Sequence, residues 1–91
     1  MNMRQKIYTV SMAEWDKSDG GNLTHSVKSY GSKEDANKAF KNSVKRACLE
    51  LYSDDEYKEE EFEDYFSGVR QEGTENEYRV IVELEEDYIE L

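Results

Sequence analysis

The chain has 91 residues, room for one domain over residues 1–91, and a core of modest size. Its net charge of −10, with 37% charged residues and a mean hydropathy of −1.02, approaches the composition of disordered chains, yet its apolar residues recur with regular periods. Zero prolines and five glycines argue against a low-complexity tail, and eleven aromatic residues supply buried area that the sparse aliphatics do not.

From Lys6 to Trp15 the chain alternates, with Ile7, Thr9, Ser11, Ala13 and Trp15 on one side and Tyr8, Val10 and Met12 on the other, the pattern of a strand. Asp16 to Asn22 is a turn cluster and Leu23 to Tyr30 resumes strand-like residues, so the first third reads as a β-hairpin. Ser32, with Asp35 three residues on, opens a helix. Ala36, Phe40, Val44, Ala47 and Leu51 follow at helical spacing, opposite a solvated face of Lys38, Lys41 and Lys45.

Ser53 and Glu56 repeat the capping pattern, which predicts a second, short acidic helix ending at Gly68. On a helical wheel Tyr57, Phe62, Tyr65 and Phe66 fall within one half turn. Val69 to Gln71 and Glu77 to Leu84, joined by a turn at 72–76, make a second hairpin with Tyr78, Val80, Val82 and Leu84 on one face; residues 85–91 read as a frayed acidic tail. The expected fold is therefore α+β, two β-hairpins flanking a long amphipathic helix and a short acidic one in the order β-β-α-α-β-β, with an antiparallel sheet packed on the long helix.

Charge is unevenly distributed. Residues 1–46 hold nine Lys or Arg against five Asp or Glu, a net of +4, while residues 47–91 hold three against seventeen, a net of −14. Between Ser53 and Phe66 eight of fourteen residues are acidic: Asp54, Asp55, Glu56, Glu59, Glu60, Glu61, Glu63 and Asp64, answered only by Lys58. As a helix this segment sets Glu56–Glu60, Glu59–Glu63 and Glu60–Asp64 at i,i+4. Those like-charge pairs together cost about 1 kcal/mol. It also carries roughly one charge per 2 Å of axis, near the one per ~1.7 Å of duplex DNA.

That density motivates the functional expectation: a non-enzymatic acidic protein that binds a macromolecular partner through its carboxylate-rich half, as a DNA mimic against a basic nucleic-acid-binding protein. In size, charge and its Glu-rich segment the chain resembles small phage-encoded DNA mimics, among them anti-CRISPR and anti-restriction proteins. The resemblance implies a protein partner and an inhibitory role, and carries no residue roles with it. The alternative is a structural or housekeeping domain, a homodimer through apolar edge strands, whose acidic face only confers solubility.

Other chemistry is weakly signalled. The Asp16–Asn22 turn lacks the register of a calcium-binding loop, so no metal site and no cofactor is expected. His25 is a single histidine without an evident nucleophile and reads as a half-exposed strand residue; Cys48, beside Lys45 and Arg46, reads as a small buried hydrophobe. No phosphate loop, nucleophile elbow or paired Cys/His spacing occurs, so no catalytic residue is expected. Direct nucleic-acid binding would rest on Lys28, Lys33, Lys38, Lys41, Lys45 and Arg46 against the repulsion of the −14 half, and is not expected. One cysteine, no leader-like apolar run and no stretch of about 20 apolar residues make a reducing cytoplasm the expected compartment.

Overall fold

A computed structural model describes residues 3–90. The strands β1 (Arg4–Asp16), β2 (Asn22–Tyr30), β3 (Tyr57–Glu61), β4 (Tyr65–Arg70) and β5 (Tyr78–Glu90) form one antiparallel sheet in the order β2-β1-β5-β4-β3, with one helix, α1 (Lys33–Leu51), on one face. The first hairpin places β2 at one edge. α1 then carries the chain across the sheet to the opposite edge, and β3, β4 and β5 return as a meander whose last strand lies beside β1 in the centre.

α1 forms where its apolar spacing predicts. The Ser32 Oγ accepts from the Asp35 N–H at 3.3 Å, satisfying one of the free donors of the first turn. Ala36, Phe40, Val44, Ala47 and Leu51 are buried against Tyr8, Val10 and Met12 of β1, Phe66 of β4 and Tyr78, Val80 and Val82 of β5. Alternation in β1 and β5 sends these residues to the helix side. Each large side chain so enclosed contributes about 1.5–3 kcal/mol, and the sheet's other face is bare.

Two expectations fail. Among the described residues there is no second α-helix: residues 57–70 are a β-hairpin, so the element order is β-β-α-β-β-β rather than β-β-α-α-β-β. Ser53 caps no second helix, for its Oγ donates to the Glu50 carbonyl at 2.7 Å and so closes the end of α1. The hairpin removes the like-charge contacts a helix would impose, because Glu59 faces Gly68, Glu60 faces Ser67 and Glu61 faces Phe66. It also buries Phe66 fully, and β4 pairs with the central strand β5 through six residues. A gain of about 1.5–3 kcal/mol from Phe66 and relief of about 1 kcal/mol of repulsion both favour the hairpin.

The second failure concerns residues 85–91. Instead of fraying, Glu85 to Glu90 continue β5 and pair with β1 from Thr9 back to Arg4. They pair because β1 is equally long, and the outer four residues of each strand form a two-stranded ribbon steadied by Lys6, 3.3 Å from Glu86 and over the Tyr88 ring. Leu91, at the end of the expected tail, lies outside the described residues.

Gly68, expected to end a helix, lies inside β4, where a Cβ would collide with the Leu51 side chain. Beside it Arg70 donates from Nη1 to the Glu50 carbonyl at 2.7 Å and the Ser53 Oγ at 2.8 Å, and its guanidinium lies over the Tyr78 ring at 5.2 Å. The last turn of α1 thus rests on glycine and is held by arginine. Gly68→Ala is expected to lower stability by roughly 1–3 kcal/mol in urea denaturation, and the penalty should shrink in a Leu51→Ala background, where the obstructing side chain is gone.

Candidate functional site

The eight carboxylates singled out from the sequence are all exposed, and they follow the β3 edge of the sheet rather than one face of a helix. Asp54, Asp55 and Glu56 form the link out of α1. The Asp54 Oδ1 accepts from the Glu56 N–H at 3.0 Å, and the Glu56 carbonyl accepts from the Gln71 N–H at 2.9 Å, tying the link to the β4–β5 turn. The Glu56 amide, and next the Gln71 side chain, hold the Asp54 carboxyl below the usual aspartate range.

Along β3 the side chains alternate. Glu59 and Glu61 lie on the helix side, while Lys58 and Glu60 lie on the bare side. Glu59 accepts a hydrogen bond from the Tyr52 hydroxyl at 2.6 Å, and Tyr52 sits against Tyr57 with ring centroids 4.7 Å apart. Glu63 and Asp64 span the tight turn closed by the Phe62 N–H to Tyr65 carbonyl bond of 2.7 Å.

The structure adds carboxylates from the segment expected to fray. The Leu84 N–H donates to the Asp64 carbonyl at 2.9 Å, so the β3–β4 turn abuts β5 where that strand leaves its β4 partner. Glu85, Glu86, Asp87 and Glu90 then extend the acidic edge along the ribbon, all exposed. The signal was present in the alternation of Tyr78 to Leu84; it weakens at Glu85–Asp87, where three acids interrupt it.

Among the described residues, ion pairs join Lys6 to Glu86, Arg70 to Glu50, and Arg79 to Glu72 and Glu77; none involves the eight carboxylates. Glu77 shows what a carboxylate used for folding looks like here. It is buried, its Oε1 accepts from the Gly73 N–H and its Oε2 from the Arg79 Nε, both at 2.7 Å, and its carbonyl accepts from the Lys17 N–H. The Gly73 amide first, then Arg79, hold its carboxyl below the usual glutamate range. Of the edge carboxylates, Asp54 and Glu59 accept hydrogen bonds but, among the described residues, none of the eight has an ion-pair partner.

The other candidate groups do not converge. His25 is exposed on β2 opposite Ala13, on the bare face, while Cys48 is half-buried on α1 against the core, so the sheet separates them. Asp16 caps the short 3-10 turn Lys17–Asp19, accepting from the Ser18 N–H at 3.0 Å and the Ser18 hydroxyl at 2.6 Å. Among the described residues no group of three or more His, Cys, Asp or Glu is gathered to hold a metal ion, and no helix is long and apolar enough to cross a membrane.

Comparison with protein-family models, curated proteins and solved structures returns no match.

Because folding favours ionised Glu77, the stability it contributes is complete above the pH at which an unfolded glutamate titrates and is lost as pH falls through the lower folded value. Glu77→Gln is therefore expected to be less stable than wild type near neutral pH, with the gap closing as the solution is acidified; urea midpoints between about pH 7 and 3 check this.

Proposed function

We propose that this chain is a non-enzymatic binding domain whose acidic edge engages a basic surface on another macromolecule, best matched by the phosphate-binding groove of a nucleic-acid-binding protein. One observation carries this reading: eight exposed carboxylates in sequence from Asp54 to Asp64, none ion-paired among the described residues, continued by those of the β5 ribbon. No ion pair among the described residues neutralises any of the eight, so their combined field attracts a cationic partner and steers it toward the edge.

The spacing supports a more specific form of mimicry than a helix implies. Glu59, Glu60 and Glu61 are consecutive strand residues, so they advance at about 3.3–3.4 Å per charge. One strand of DNA advances 3.4 Å per phosphate along its axis. Over these three residues, counted along the strand axis with both faces together, the edge has the linear charge density of a single phosphate backbone, about half that of the duplex.

The second reading is that the same charges blunt an exposed sheet edge and keep the protein soluble. It is favoured by β3 itself, which is short, exposed throughout and carries four charges in five residues, the usual means of preventing edge-to-edge pairing. Capture from lysate of the native host separates the two. The variant Glu59→Gln, Glu60→Gln, Glu61→Gln, Glu63→Gln is expected to fold, since none of these groups is ion-paired, and to recover at least about tenfold less of a basic partner. That partner should be released from wild type by rising salt and by added duplex DNA. Equal capture by both proteins, or none by either, would leave only the solubility role.

A further inference from the structure

The two edges of the sheet are guarded unequally. β3 is five residues long and highly charged, whereas β2 runs nine residues, has no proline or glycine, and carries Lys28 as its one Lys, Arg, Asp or Glu side chain. Asn22 to Ser29 are exposed, Leu23 by 69% and Val27 by 56%. On one side β2 pairs with β1 over its full length; on the other, alternate backbone N–H and C=O groups face outward, a template for a further strand.

We propose that β2 is the contact between two copies of this chain, which pair antiparallel about a two-fold axis and merge their sheets into one of ten strands. A second copy is the occupant because the strand complements itself. An axis normal to the sheet keeps both helices on one side, so directly opposed residues must share a face and the central residue meets its own counterpart. The register that pairs all nine residues centres on Ser26. It sets Lys28 against Thr24, Val27 against His25 and Leu23 against Ser29, with no like charges directly opposed. The two Lys28 residues are offset by four positions, about 13 Å along the strand.

Charge segregation removes the main objection, the −10 on each copy. β2 belongs to the half with net +4 and lies at the edge remote from β3. Across ten strands the two β3 edges stand about 43 Å apart and the two β5 strands about 24 Å, in both cases several Debye lengths at the ~8 Å of physiological salt. The pairing does not rest on the partner-binding reading, although it would give the assembly two acidic edges facing outward.

Sedimentation of the full chain from micromolar to millimolar concentration should show a species of twice 10.7 kDa. Ser26→Lys, at an exposed position, sets two ammonium groups face to face and should raise the dimer dissociation constant about fivefold or more while the circular dichroism stays native. Opposed Cα atoms about 4.5–5.5 Å apart suit a disulfide. In a Cys48→Ser background, Ser26→Cys should therefore give a covalent dimer on mild oxidation and Glu60→Cys should not. A monomer at every concentration overturns the proposal. So does a dimer indifferent to Ser26→Lys and not trapped by Ser26→Cys, which would move the contact to the bare face around Trp15 and Ile81.

Discussion

The last turn of α1 lands on β4, and the remainder of the fold follows from that contact. Leu51 is fully buried over Gly68, while Arg70 reaches from the sheet to the Glu50 carbonyl, one of the acceptors a helix end leaves unpaired. With the helix end held, the acidic segment cannot extend α1 or start another helix beside it. It has to turn outward and come back as β3 and β4 so that Phe66, Gly68 and Arg70 lie beneath the helix. The guanidinium in turn covers Tyr78, whose hydroxyl donates to Glu14 at 3.0 Å; burial and then that carboxylate push the phenol pKa well up. One landing therefore joins α1, β4, β5 and β1.

This arrangement sorts the molecule's charge. Carboxylates needed for folding are few and enclosed, as Glu77 in its turn and Glu14 beneath Tyr78 illustrate. The eight from Asp54 to Asp64 are carried to an edge where no ion pair among the described residues balances them, and solvent or a partner must do so. The mixed +4 and −14 halves of the sequence become opposite edges of a sheet because the chain crosses over α1 between its two hairpins. A strongly acidic protein thereby keeps one edge, β2, that another chain can approach.

Acidic density along β3 also has a structural consequence whatever binds there. A strand rich in glutamate has weak intrinsic preference for a sheet, and it is tolerated here because alternation separates neighbouring charges onto two faces and each opposes an uncharged residue of β4. The edge is thus stable as drawn and unattractive to other strands. The bare face behind it mixes Trp15, Ile81 and Tyr65 with Arg79, Glu83 and Glu85, and Trp15 is itself engaged, donating to the Gly21 carbonyl at 2.8 Å.

By itself the sequence determined the first hairpin, the long helix and its buried stripe, the inward face of Tyr78 to Leu84, and the identity of the exposed carboxylates. Each of these is written as a local period of two or nearly four, so it survives without knowledge of neighbours. Tertiary structure decided the 53–70 segment and residues 85–90. Ser53 and Glu56 imitate a helix start, and Tyr57, Phe62, Tyr65 and Phe66 imitate a helical stripe, while the turn at Glu63-Asp64 lacks the glycine or asparagine that marks a hairpin. Only the need to bury Phe66, to pair the open side of β5 and to leave room for Leu51 selects the strand, and those are contacts between residues far apart in the chain. The extension of β5 likewise depends on β1, whose early residues Arg4 to Ile7 lie 80 or more positions away from their partners at its tip.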